Sequence, residues 1–264
     1  MIHLYTYQNI KIYDTDLLEA LRSLGVRTGD TLYIHSDVMV FGRIAIENKD
    51  KILPAFVDVL KKVVGIEGAL VFPTYSYSYC RKEPFDIQNT PSTVGALTNY
   101  FRKEKDTVRS SHPLFSVAVW GKHKEEFLKP NKDSFGPESS FAIAQKLNAK
   151  ILLLGVGFES CTFLHYVEQE HQVPYRFIKT FDGTFIDREG RAHADSCIYF
   201  VRPLDEDIDN DMTRITPYLR EKGLVRETTI GNGSVSVIGA NDLYGAAMHQ
   251  LDNDPYFLLK QAPS

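Results

Sequence analysis

The chain has 264 residues, 43% hydrophobic and 24% charged, with a formal net charge of −4, enough apolar material for a substantial core. Its 16 Phe and 14 Tyr argue against disorder, and the slight acidic balance lacks the basic excess of a nucleic-acid protein. No apolar run reaches the roughly 18–20 residues that span a membrane, and the N-terminus MIHLYTYQNIKIYD lacks a basic segment followed by an apolar one, so no signal peptide and a cytoplasmic location are expected.

Residues 15–24 read as an amphipathic helix stopped by Gly25, and Thr31–His35 as a strand. Residues 50–64 put Ile52, Phe56, Leu60 and Val64 on one helical face, with Pro54 suited to the first turn. GALVFPT (68–74) is a buried strand ended by Pro73. Residues 92–104 read as a helix capped by Ser92, 116–120 as a strand and 139–148 as a helix with Ser139 as its cap. KILLLGVG (150–157) has the strongest pattern of a buried strand. Further on, 197–201 is a strand, 224–238 is two strands about Gly231-Asn232-Gly233, and 240–251 is a helix; the acidic stretch 202–212 reads as a loop or helix start. Strand–helix alternation through the first two-thirds predicts an α/β fold, a layered α/β/α arrangement about a central, mostly buried mixed sheet. No linker interrupts it, so residues 1–264 read as a single domain.

Chemistry concentrates after the strand 150–157. In SCTFLHYVEQEH (160–171), His165 and Glu168 are three apart and share a helical face, with Thr162 one turn earlier. A neutral imidazole takes a proton from an attacking amine, and a neighbouring carboxylate fixes its tautomer; the competing reading is a solvated surface pair. Position favours function, because helix starts beyond strand carboxyl ends are where open α/β sheets bind ligands. His171 is six residues from His165, not the four of the metalloprotease pattern, so no metal is expected. The cysteines, Cys80, Cys161 and Cys197, form neither a disulfide framework nor a zinc pattern.

The loop VRSSHPLFS (108–116) gathers Arg109, Ser110, Ser111, His112 and Ser116 around Pro113. Such groups hold a phosphate or simply make a polar turn. His35 and Ser36 end a strand, where polar groups either line a crevice or cap a turn. GPESS (136–140) offers an anion contact or an N-cap, the cap being favoured for Ser139. A P-loop, a G-x-G-x-x-G after a strand and the G-x-S-x-G of serine hydrolases are all missing.

In order and spacing the segments resemble the aminoglycoside 3-N-acetyltransferase family, over roughly residues 17–250. The pieces that carry this are GDTLYIHSDV (29–38), GALVFPTY (68–75), PFDIQNTPSTVGALTNYFR (84–102), RSSHPLFSVAVWG (109–121), FGPESSF (135–141), ILLLGVGFESCTFLHYVE (151–168) and SVSVIGANDLYGAA (234–247). The resemblance implies an acetyl-CoA-dependent N-acyltransferase whose α/β fold is not the common acetyltransferase fold. By the T-x-x-H-x-x-E motif, His165 is the general base. Glu168 is then its carboxylate partner, with Asp205 and Glu206 as the alternative source. The family's H-S and R-S-x-H-P segments are associated with coenzyme A, which assigns His35, Ser36, Arg109, Ser110, Ser111, His112 and Pro113 to it, with Ser116 close by. The implied reaction is direct attack of the amine on the thioester, with backbone N–H groups near Ser36 stabilising the oxyanion and Cys161 uninvolved.

Two departures bear on the acceptor. Family members usually carry Gly-Gly soon after the H-S segment, where FGRIAIENKD (41–50) has only Gly42. The segment SYSYCRKEP (76–84) brings Arg81 and Lys82, which disfavour a polycation, and Tyr75, Tyr77 and Tyr79 offer stacking surfaces. The expected acceptor is therefore an amino sugar, nucleotide-linked included, rather than an aminoglycoside drug. A metal-assisted amidohydrolase built on His165, Glu168 and His171 and a non-catalytic binding protein are the alternatives; oligomeric state, a homodimer included, is left open.

Overall fold

The computed structural model of the chain describes residues 1–204 and 208–262. It opens with a hairpin absent from the sequence-based expectation, β1 (His3–Tyr7) and β2 (Ile10–Tyr13). Gln8 and Asn9, both at positive φ, make the two-residue turn that suits paired strands. Helix α1 (Asp14–Ser23) buries Leu17, Leu18 and Leu21 and ends before Gly25 at φ +82°. Strand β3 (Thr31–Ser36) follows, then the short β4 (Arg43–Ile44), which pairs with β1. Helix α2 (Ile52–Val64) carries Pro54 in its first turn, where no intrahelical N–H is needed, and leads to β5 (Ala69–Pro73).

The middle of the chain contributes β6 (Phe85–Asp86), α3 (Ala96–Phe101), β7 (Val108–Arg109), β8 (Val117–Gly121), α4 (Lys124–Leu128), α5 (Ser140–Lys146) and β9 (Lys150–Leu154). Ser139 caps α5 by accepting from the Ala142 N–H, as expected. Helix α3 is shorter than the predicted 92–104: Gly95 sits at φ +118° just before it, and Ser92 is tied instead to the Asn99 side chain at 2.8 and 2.6 Å. Then come α6 (Phe163–His171), the ten-residue strands β10 (Phe177–Ile186) and β11 (Ala192–Val201), α7 (Ile215–Glu221), β12 (Arg226–Ile230), β13 (Gly233–Gly239) and α8 (Ala240–Asn253). Strand β10 escaped prediction because its first four residues are exposed and give no buried pattern.

Seven strands form the main sheet in the order β12-β13-β9-β3-β5-β8-β7. The centre, β9-β3-β5, is parallel, and the flanks are antiparallel. Alternation at period two sends Leu32, Ile34, Leu70, Leu152 and Leu154 into one core, where α1, α2 and α3 pack. Tyr33, Val71, Ile151 and Leu153 point into the other, under α5, α6 and α8. Each such side chain contributes roughly 1.5–3 kcal/mol on burial. The result is the expected α/β/α layering about a mixed sheet. From β3 the chain crosses by α2 to β5 on one side and later returns as β9 on the other, so β3 is the point where the strand order reverses, the place where such sheets bind ligands.

Candidate functional site

A cavity of about 640 Å³ opens at the carboxyl ends of β3, β5 and β9. Its wall includes His35 and Ser36 from β3, Tyr75 and Tyr77 beyond β5, and Cys161, Thr162 and His165 beyond β9. One glycine holds these pieces together. Gly155 ends β9 at φ +76°, and a Cβ there would stand 2.1 Å from the Asp37 carbonyl oxygen. Only glycine lets the turn into α6 lie against the end of β3.

His165 also lines a second cavity of about 590 Å³ on the outer side, between β10, β11, residues 202–204 and Asn210, whose described wall includes Arg176, Lys179, Phe181, Tyr199 and Arg202. The ring keeps 24% of its side-chain surface open and belongs to the walls of both cavities. Its Nδ1 lies 2.5 Å from Glu168 Oε2, and Glu168 is fully buried. Of the two carboxylate sources weighed for His165, Glu168 is the one the geometry joins to it. Asp205 and Glu206 lie outside the described residues.

Burial and the nearby Arg176 guanidinium pull the His165 pKa below the ordinary value, against the opposing pull of Glu168. For Glu168, burial alone pushes the carboxyl upward. Arg176, His165 and the Tyr175 hydroxyl outweigh it and hold the group well below the usual carboxylate range. The side chain is therefore an anion and the ring beside it a neutral imidazole at neutral pH. Arg176, Tyr175 and Asn210, which complete this cluster, were missed in the sequence. The one available signal is that a buried carboxylate requires a cation, and Arg176 is the first arginine after it.

His35 and Ser36 share the inner cavity with His165. His35 is buried, and among the described residues neither its Nε2 nor Ser36 Oγ has a hydrogen-bond partner. Burial lowers the His35 pKa to about 4, so it too is neutral. The backbone N–H groups just beyond are occupied: Asp37 donates to the Leu154 carbonyl at 2.9 Å and Met39 to its neighbour Asp37 Oδ1 at 2.9 Å. Burial raises the Cys161 thiol to about 12, leaving it without the thiolate a nucleophile needs.

The loop expected to touch coenzyme A stands apart from the two cavities at His165. Arg109, Ser110, Ser111, His112, Pro113 and Ser116 do not line either cavity at His165. Ser111 apart, these residues are buried and their polar groups find partners within the protein, as burial demands. Arg109 donates to the Thr74 carbonyl at 2.7 Å, the Thr90 carbonyl at 2.5 Å and Ser116 Oγ at 3.1 Å. Ser116 Oγ donates to the Thr74 carbonyl at 2.9 Å, and Ser110 Oγ accepts from the Val117 N–H at 2.9 Å. His112 Nδ1 accepts the N–H groups of Leu114 and Phe115, and the Pro113 carbonyl accepts from Ser76 Oγ at 2.8 Å. Ser111 is half-buried beside a slot of about 10 Å³, room for a water and little else. The loop acts on the cavity from behind, by fixing the segment Thr74–Ser78.

Other expectations separate in the same way. Tyr75 and Tyr77 face the inner cavity, but Tyr79 is buried with its hydroxyl on Asp195 at 2.9 Å. Arg81 pairs with Glu83 at 2.8 Å, and neither it nor Lys82 lines a cavity at His165; the cations in the outer wall are Arg176, Lys179 and Arg202. The 41–50 stretch joins the small sheet with β1 and contributes nothing to either wall. His171 turns to Asp252 at 3.4 Å. Among the described residues no group of three or more His, Cys, Asp or Glu side chains is arranged to hold a metal ion, and no helix is long and apolar enough to cross a membrane.

Known proteins share both the sequence pattern and the fold. The family model described as aminoglycoside 3-N-acetyltransferase matches residues 33–252. Aminoglycoside N(3)-acetyltransferase IV from Salmonella sp. is 29% identical over 249 residues, covering 92% of this chain and 89% of that protein. A histidine-to-alanine variant of aminoglycoside acetyltransferase AAC(3)-IVa, solved in complex with a gentamicin, is 25% identical with a TM-score of 0.77, covering 99% of this chain and 93% of that one. The structure of AAC-IIIb with CoASH shares the fold at 22% identity, a TM-score of 0.78 and coverage of 96% and 99%. The fold is that of these acetyltransferases and not the common acetyltransferase fold.

Proposed function

The chain belongs to the aminoglycoside 3-N-acetyltransferase family, and from that premise we propose that it moves an acetyl group from acetyl-CoA directly to an amine of an amino sugar or aminoglycoside, with His165 as general base. The observation that carries this reading is an imidazole, anchored through Nδ1 on a buried carboxylate, in the walls of two cavities each large enough for a small molecule. Two cavities sharing one base suit a reaction in which donor and acceptor come together without a covalent enzyme intermediate, and the thiol character of Cys161 supports the same view.

The coenzyme is assigned to the inner cavity, against His35 and Ser36, whose unpaired buried atoms suit a polar ligand. Arg109 and its loop support that wall without touching the ligand. The amine nitrogen attacks the thioester carbonyl carbon, and the carbonyl electron pair moves to oxygen. His165 Nε2 takes the amine proton. Collapse expels the CoA thiolate, which takes that proton back from the imidazolium. The Ser36 hydroxyl, in the same wall, is the proposed donor to the oxyanion, since the neighbouring Asp37 and Met39 N–H groups are engaged; one such donor is worth about 3–4 kcal/mol in other enzymes.

The test is His165→Ala. Its kcat is expected to fall by about 10²–10⁴-fold, the usual contribution of a general base, with CoA affinity by calorimetry unchanged within a few-fold. Loss of CoA affinity would instead make His165 a binding residue.

A further inference from the structure

Glu168 has none of its side chain exposed, and both its oxygens have partners. Oε2 faces His165 Nδ1 at 2.5 Å and Arg176 Nε at 2.9 Å, while Oε1 accepts from the Tyr175 hydroxyl at 2.6 Å and Asn210 Nδ2 at 3.0 Å. Three hydrogen bonds and the ion-pair contact with Arg176 all favour the charged form of the carboxylate.

Arg176 is itself buried, with 3% of its side chain exposed. Its Nη2 stands 3.1 Å from His165 Nδ1 and 2.8 Å from Asn210 Oδ1, and its Nη1 donates to the Phe200 carbonyl at 3.2 Å. His165 Nδ1 thus meets two neighbours with opposite demands: facing the carboxylate it must carry a hydrogen, and facing the guanidinium it must not. The carboxylate is the nearer, and Nη2 has a better acceptor in Asn210 Oδ1.

We propose that Arg176 and Asn210 are positioning residues for the transfer: they hold Glu168 as an anion and Nδ1 as the protonated nitrogen, so that Nε2 is the one basic atom of His165. The guanidinium has a second effect. It stops the anion from keeping the ring permanently protonated, which would disable it as a base. This rests on the reading of His165 as the base.

Among the described residues the ring's hydrogen bonds go to Glu168 and Arg176 alone. The other charged or titratable groups of the outer cavity are Cys80, Lys179, Tyr199 and Arg202. Those of the inner cavity are His35, Asp37, Tyr75, Tyr77, Glu159 and Cys161.

The experiment combines pH profiles of kcat/KM for wild type, Arg176→Gln and Arg176→Lys with NMR of ¹⁵N-imidazole-labelled protein. Wild-type His165 is expected to be the Nδ1–H tautomer. Arg176→Gln moves both the acid limb and the ring titration to higher pH, so kcat/KM falls several-fold more at pH 6 than at pH 8. Arg176→Lys keeps the charge and leaves the limb near wild type, while loss of the planar fork lowers kcat at every pH. A wild-type Nε2–H tautomer overturns the proposal, as does a Gln variant whose limb stays put or moves down. If the Gln variant does not fold, the wild-type tautomer and the Lys profile decide: a Lys limb shifted from wild type counts against the role of the charge. Failure of the underlying reading looks different, because His165→Asn would then keep the wild-type acid limb.

Discussion

Histidine is the side chain whose ordinary titration lies closest to neutrality, and three histidines near the site are handled in two ways. Burial lowers His35 to about 4, and burial reinforced by Lys132 lowers His112 to about 3, so neither changes charge near neutral pH. His165 is also lowered, first by burial and then by Arg176, but Glu168 pulls the other way. The neutral form is the base, so activity is lost as pH falls through the folded-state value. The acid limb of kcat/KM is therefore expected below the ordinary histidine value of 6.5, with a plateau through neutral pH. Initial rates from pH 5 to 8 check this, and a limb centred above 6.5 contradicts it. His165 and Glu168 were legible in the sequence because three-residue spacing on a helix is a local fact. Their partners Tyr175, Arg176 and Asn210 were not, because what brings them in is the folding of the chain after α6 back over its buried face.

At the scale of elements, two connections build the inner wall. The turn from β9 into α6 lies against Asp37 only because Gly155 has no side chain. The loop between β7 and β8 clamps the end of β5 through Arg109, whose guanidinium also lies 4.8 Å from the Phe85 ring. If that clamp is the loop's task, Arg109→Lys loses several buried hydrogen bonds at roughly 1–3 kcal/mol each and lowers the urea midpoint. The CoA Kd of the protein that stays folded remains within a few-fold of wild type. A tenfold loss of CoA affinity at unchanged stability would return Arg109 to direct contact with the coenzyme. A motif of Arg, Ser, His and Pro looks the same in sequence whether its donors face a ligand or the protein's own carbonyls. Only the contacts distinguish the two.

Across the whole molecule, reversal of strand order at β3 opens the inner cavity, and the β10–β11 hairpin builds the outer one against the same histidine. Among the described residues the outer wall contains no carboxylate, and Lys179 and Arg202 stand in it beside Phe181 and Tyr199. For an acceptor in this cavity, Lys179 and Arg202 favour a negative charge, and Phe181 and Tyr199 favour a flat ring. In a panel of amines with acetyl-CoA, amino sugars, nucleotide-linked ones included, are expected to be acetylated faster than kanamycin-class drugs, read by release of free thiol. Drug turnover at the rate of the best amino sugar reverses that preference. By itself the sequence determined the alternating layers, the buried central strands, the Ser139 cap and the His165–Glu168 pair, because each follows from periodicity or spacing within one segment. It could not decide which polar loop would face a ligand, what would neutralise a carboxylate in the core, or which strands would wall the outer cavity. Those outcomes depend on contacts between residues far apart in the chain, and such contacts exist only once the sheet has assembled.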